Sequence, residues 1–383
     1  MSELINAKNG RNNLRWKLLT TVSALALIGN LSAMSAAKAG DDTDRPTVWI
    51  ELGGQLSRLG DGQETFDPNF PDSPARPSIF SPSQEFEKPP SYSVDETGNI
   101  SFQPEGSSWV FAASVRYGRS LSKKSAHQQT YPEPFVKYNT SGQKSEAYPR
   151  AARFADTSVH NDEQHLILDF QAGKDVGLGM FGGRHGSSTI NLGVRFAQFT
   201  TKTNIAVHSN PDWHFSYIYT NGQKFVFRQP YHSNYAELEA KNSFRGIGPS
   251  LSWNASAPFA GAPQAGELTL DWGLNAALLF GRQKTLVHHH TTEQYEVGRF
   301  LYPPPKTVEY FNAPPSRINS RTVMVPNVGG FAGVSFKFPN VKVSAGYRAD
   351  IFFGAMDGGI DARKNENRGF YGPFASVSIG LGG

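Results

Sequence analysis

Three groups of titratable side chains in this chain have types and spacings that could carry chemistry. His160, Asp162, Glu163 and His165 fall within six residues. A histidine held by a carboxylate can activate a water as general base, provided both reach hydrogen-bond distance and a second acidic pair completes the site. Only the spacing speaks for this; no hydrolase motif surrounds it. The run His288-His289-His290 suggests a metal, but neighbours along a strand point to opposite sides and zinc ligands are usually spaced more widely. Solvated loop side chains are therefore the expectation there. The third group is a scattered set of both signs: Glu51, Asp169, Asp271 and Asp350 against Arg116, Arg195, Lys337, Lys342 and Arg348. The chain holds no cysteine, which excludes a disulfide scaffold, cysteine-ligated metals and a thiol nucleophile. No phosphate-binding loop and no strand-to-helix serine elbow occurs either, so no cofactor and no catalysis is expected.

What positions these groups is a chain of strands. Past residue 46 no segment keeps a 3.6-residue period, whereas alternation with period two recurs. Leu268, Leu270, Trp272, Leu274, Ala276, Leu278 and Phe280 share one face, with Thr269, Asp271, Gly273, Asn275 and Ala277 on the other. Residues 108–118 divide likewise: Trp109, Phe111, Ala113, Val115 and Tyr117 oppose Ser108, Ala112, Ser114 and Arg116. Near the C-terminus Tyr371, Ala375, Val377, Ile379 and Leu381 oppose Phe374, Ser376, Ser378 and Gly380. A soluble sandwich alternates too. Three details favour lipid outside. The apolar faces have the length of a tilted strand crossing a bilayer, about 9–11 residues. The opposite faces carry Gly, Ser, Asn and charges, which a sandwich core could not use. Trp49, Trp109, Tyr117, Tyr347 and Tyr371 lie toward strand ends, as in the aromatic girdles of membrane barrels.

Ten strands are read near 47–57, 93–104, 107–118, 162–172, 188–200, 244–256, 267–283, 321–338, 340–353 and 369–382. Their connections alternate between long and short, the rhythm of outer loops and periplasmic turns. An even number lets the first and last strands pair and leaves no edge in lipid. The expected fold is all-β: a transmembrane antiparallel up-and-down barrel, with long extracellular loops and short periplasmic turns. The nine scattered charges then fall on its inner wall. In ten strands the lumen is little wider than one that side chains fill, so an ion-paired plug is the first reading and a narrow polar pore the second.

The 383 residues carry 37 Lys+Arg and 33 Asp+Glu. Lys8, Arg11, Arg15, Lys17 and Lys38, with Glu3, precede or flank an uncharged stretch from Leu18 to Met34 and the small-residue site Ala37-Lys38-Ala39. These are the parts of a secretory signal peptide, expected to be cleaved after Ala39, leaving residues 40–383 as one barrel domain. Removing five of the bases and one acid leaves 32 of each sign. A neutral mature chain lacks the basic footprint that nucleic-acid binding needs.

The run Leu168 to Gly179 (LDFQAGKDVGLG), Leu192 to Ala197 (LGVRFA), Gly246 to Trp253 (GIGPSLSW) and Trp272 to Gly281 (WGLNAALLFG) resembles the Legionella major outer membrane protein family and its alphaproteobacterial relatives. The resemblance covers roughly residues 160–382, in strand-and-turn patterns. It implies a bacterial outer-membrane surface barrel, with porin-like activity attributed to the Legionella members. The cysteines tied to cross-linking in that family are absent here, so cross-linked assembly is not carried over.

The expected function is passage of small polar solutes, or a structural barrel. A non-conducting adhesin is the alternative, its contact surface drawn from outer-loop segments such as Tyr131 to Phe135, Trp213 to Tyr219 and Phe300 to Pro305. A rim hydrolase of the omptin type, built on His160, Asp162, Glu163 and His165, is a distant third. Expected partners are outer-membrane lipid and lipopolysaccharide, the barrel-assembly machinery and, left open, further copies of the chain.

Overall fold

A computed structural model describes residues 47–60, 65–66, 86–87, 90–105, 107–130, 135–138, 144–147, 153–176, 187–210, 215–220, 223–228, 231–262, 266–296, 306–311, 317–360 and 362–381. Residues 1–39, expected as an export segment, together with Trp213 and the run 300–305, lie outside them. The side chains of 131–135 and 215–219 are likewise not described.

Ten strands form one antiparallel sheet: β1 Thr47–Gly60, β2 Ser91–Gln103, β3 Trp109–Thr130, β4 Arg153–Asp175, β5 Ser187–Asn210, β6 Tyr231–Ala262, β7 Gly266–Glu296, β8 Arg317–Lys337, β9 Val341–Asp357 and β10 Asn365–Leu381. Each pairs with its neighbour in sequence, and β1 pairs with β10 from Val48↔Leu381 to Gly60↔Gly369. The sheet is therefore a closed up-and-down barrel without an edge. All ten sequence-read strands are present. Even β2, whose outward face is broken by Glu96 and Gly98, pairs with β1 over its full length. One further short strand, Lys306–Phe311, extends the outer end of β7. The small ladders 65–66 with 86–87, 135–138 with 144–147 and 215–220 with 223–228 belong to the long connections.

The exterior follows the alternation. Leu52, Ile100, Phe111, Phe170, Leu192, Leu251, Leu274, Val328, Val343 and Val377 are among the large apolar side chains turned out, one from each strand. Trp109 and Tyr117 bound this belt on β3. Trp49 departs from the expected girdle: it has the inward parity of Glu51, and its ring packs on Gly380, where an added Cβ would sit 2.9 Å away.

The strands run much further on the long-connection side than the sequence suggested. β6 has 32 residues and β7 has 31, against about 9–11 needed to cross a bilayer. Segments read as outer loops, 119–130, 201–210, 231–243 and 284–296, are paired strand. The reason is an inversion of phase. Within the belt of β5, Leu192, Val194 and Phe196 turn outward. Beyond it Lys202, Asn204 and His208 take the outward positions, while Ile205 and Val207 turn in and are buried. Outside a membrane the wall obeys the ordinary rule of apolar inside and polar outside, so a search for outward apolar stripes misses it.

Candidate functional site

The lumen is built in tiers. At the short-turn end lies a cavity of about 430 Å³. Of the nine charges expected on the inner wall, Glu51, Arg116, Asp169, Arg195, Asp271, Lys342, Arg348 and Asp350 border it. Lys337 keeps the inward parity but lies exposed beside the turn, opposite Lys342, outside the cavity. Six of the eight form pairs: Arg116 Nη2 reaches Asp350 Oδ2 at 2.7 Å, Arg195 Nε reaches Asp169 Oδ1 at 2.7 Å and Lys342 Nζ reaches Asp271 Oδ2 at 2.5 Å. Arg195 also donates to Asn275 Oδ1 at 2.7 Å and to Asn327 Oδ1. Pairing of this kind is what makes charge tolerable in a confined interior. Arg348 instead lies between two rings, 5.7 Å from the centroid of Phe331 and 5.1 Å from that of Phe374, where the ring faces stabilise a cation.

Above the cavity the lumen closes. Phe199 of β5 lies 4.8 Å from Phe352 of β9 and 5.4 Å from Phe370 of β10, centroid to centroid, and 5.8 Å from Phe244 of β6. All four rings are buried, and Leu59, Ile167, Ala277, Leu279 and Val325 pack with them. Strand order places β5 and β10 five steps apart in either direction around the barrel. Rings in contact from diametrically opposite walls leave no aqueous path between them.

On the β2–β4 side of the same layer the filling is polar. Asp95 Oδ2 lies 3.1 Å from His165 Nε2 and accepts from Ser57 Oγ at 2.5 Å, while Asp95 Oδ1 accepts from Ser93 Oγ at 2.5 Å. Asp95 and His165 stand on β2 and β4, with Gly118 of β3 between them in register. A Cβ at 118 would meet Asp95 Oδ1 at 2.1 Å and His165 Cε1 at 2.4 Å, so only glycine lets the pair meet. Further out, Glu163 accepts from Asn161 Nδ2 at 2.7 Å and from Arg368 across the lumen. A second apolar layer follows: Val159, Ile205, Val207, Ala236, Leu238, Ala240 and Val287.

The connection from β9 to β10, expected as an ordinary outer loop, turns inward. The β9–β10 register breaks between Phe352 and Met356, and Gly354 there has φ +63°. Ala355, Met356, Asp357, Gly358 and Gly359 are buried, and Ile360 packs on the second apolar layer. Asp357 fixes the turn by accepting from the Lys364 amide at 3.0 Å, the Gly359 amide at 3.3 Å and Arg317. This inward course was not foreseen from the sequence.

The His160 cluster does not assemble. Strand alternation turns His160 and Asp162 outward, where Asp162 pairs with Arg119 at 2.7 Å, and turns Glu163 and His165 inward. His288 to His290 lie in strand β7 rather than a loop; His288 and His290 face out, His289 faces in, and His290 Nε2 contacts Thr292 Oγ1 at 2.9 Å.

No protein-family model matches the chain, and no curated protein matches it. Solved structures aligned along its length include the transport unit of the autotransporter AIDA-I from Escherichia coli, at 7% identity and TM-score 0.17 over 90% of this chain and 93% of that one. The Pseudomonas putida toluene transporter TodX aligns at 8% identity and TM-score 0.16, over 89% and 90%. Acinetobacter baumannii OccAB4 aligns at 8% and 0.12, over 90% and 99%. At such values they carry no argument; the fold rests on the strand pairing itself.

Proposed function

We propose that this chain is an outer-membrane surface barrel whose lumen is closed at rest, and whose tall outer wall presents a folded platform to the exterior. The contact of Phe199 with Phe370 across the full lumen carries the closed state. The membrane location is supported by the apolar belt and by the asymmetry of short and long connections. The resemblance to the Legionella family, carried by its strand-and-turn residues, agrees with it. The reading includes no catalysis, in keeping with the divided His160 cluster.

Porin-like passage of small polar solutes is the second reading. The polar cavity favours it, and it requires the phenylalanine layer and the inward turn to move.

Cysteine labelling on intact cells tests the location. With Leu286→Cys, on the outer wall above the belt, a membrane-impermeant maleimide is expected to react; with Val343→Cys, in the belt near the short turns, it is expected not to. Labelling at 343 alone, or at neither position, contradicts the proposed orientation.

A further inference from the structure

The outer wall carries a patch of positive charge that no direct ion pair among the described residues neutralises. Arg245 of β6 and Arg282 of β7 are register partners on the outward face, Lys284 faces Ser243, and Lys241 lies four residues beyond Arg245. All four are exposed. Like charges directly opposed on one sheet face destabilise it, and none of the four forms an ion pair among the described residues. Arg245 rests on the Phe196 ring at 5.4 Å, and Arg282 spends only its Nε on Ser320 Oγ, at 2.7 Å. The guanidinium ends remain available. The neighbouring outward acids are engaged chiefly elsewhere: Glu239 pairs with Lys202 at 2.8 Å and meets Lys241 only at longer range, Asp162 pairs with Arg119, and Glu237 accepts from the Tyr235 hydroxyl. Elsewhere on the outer wall an exposed arginine such as Arg119 has its carboxylate.

The position of the patch selects its ligand. The next outward residues toward the short turns are Phe196, Ile247 and Phe280 on three adjacent strands, so the cations stand at the rim of the apolar belt. A molecule that meets both surfaces has acyl chains below and anionic groups at the interface. Two arginines side by side suit a phosphate, which each can grip with two parallel N–H donors. Lys241 lies about 13 Å along β6 from Arg245, with Lys284 between, enough for a second phosphate.

We infer that Arg245, Arg282, Lys284 and Lys241 form a binding site for the headgroup of a phosphorylated glycolipid of the outer leaflet, of the lipid A type. This rests on the outer-membrane reading and adds the residues that would hold the lipid. One phosphate neutralises the opposed arginines, the second meets the lysines, and the chains lie on Phe196, Ile247 and Phe280.

The test titrates the refolded barrel in phosphocholine micelles with three probes: bisphosphorylated lipid A, the same lipid stripped of both phosphates, and inorganic phosphate. Juxtamembrane cations contribute about fivefold each to binding of anionic lipid, so Arg245→Gln with Arg282→Gln should weaken lipid A by about 25-fold. Lys123→Gln, on β3 away from the patch, should leave it unchanged. Heat-modifiable gel mobility confirms that each variant is folded. The site is overturned if the double variant binds as tightly as the parent, if the stripped lipid binds equally well, or if inorganic phosphate displaces the lipid and so reveals a simple anion site. A barrel that inserts into phosphocholine vesicles yet fails the titration loses this site alone. One that never inserts loses the membrane reading and the site with it.

Discussion

Phe199 and Phe370, on strands five steps apart around a ten-stranded barrel, bring their rings within 5.4 Å of each other. Two side chains reaching across from opposite walls turn a tube into a closed vessel. The inward turn starts within this layer, where Ala355 and Met356 pack in the same cluster as the rings, and reaches outward to Ile360 on the second apolar layer, so a second barrier stands beyond the first.

Barriers in series give a test by combination. Replacing 358–363 with a short Gly-Ser linker should leave the barrel closed, because the phenylalanine layer, with Ala355 and Met356, remains. Adding Phe199→Ala and Phe370→Ala should produce conductance in planar bilayers. Conductance from the linker variant alone would show that the turn, and not the rings, is the seal.

Gly118 should not tolerate a side chain. The methyl of Gly118→Ala would fall 2.1 Å from Asp95 Oδ1 and 2.4 Å from His165 Cε1, forcing the pair apart. Overpacking of this kind costs about 1–3 kcal/mol. Urea unfolding of the refolded barrel in vesicles reads the loss, and an unchanged midpoint would mean that β2 and β4 adjust freely.

The bridge from Glu163 to Arg368 is buried at both ends. Glu163→Gln leaves a guanidinium enclosed without its carboxylate, and breaking such a pair from one side costs about 3–5 kcal/mol. Exchanging both residues, Glu163→Leu with Arg368→Met, should recover most of the loss, since a matched apolar replacement is often neutral. If the double variant is no better than the single one, the charges contribute more than their mutual neutralisation.

His127 lies on the outer wall of β3, ten residues beyond the belt-edge Tyr117. The Asp156 carboxylate, 2.6 Å from its Nδ1, and then Gln129 hold its pKa above the ordinary histidine value. A histidine raised on folding stabilises the fold below its unfolded pKa, and the contribution fades as pH rises through the folded value. NMR titration should place His127 above a free histidine, and Asp156→Asn should bring it down. Both are exposed, so the change in unfolding midpoint should be small.

The barrel was legible because the belt obliges outward residues to be apolar for nine or more positions, as from Trp109 to Tyr117, and period two then shows plainly. The inner charges could be read from the same phase. Their partners could not, since Arg116 and Asp350 are 234 residues apart and spacing says nothing of which strands face each other across a lumen. The closing rings were hidden for a related reason: Phe199, Phe244, Phe352 and Phe370 are spread over four strands, and only closure of the sheet brings them together. The inward turn left no apolar stripe; its anchor is one aspartate, Asp357, gathering two amides and an arginine.

Single-channel recording of the refolded, unmodified barrel in a planar bilayer tests the closed lumen most directly. The account predicts a silent membrane at high protein loading, although the same preparation shows heat-modifiable mobility and inserts fully. Steady, discrete conductance steps from that preparation would contradict it.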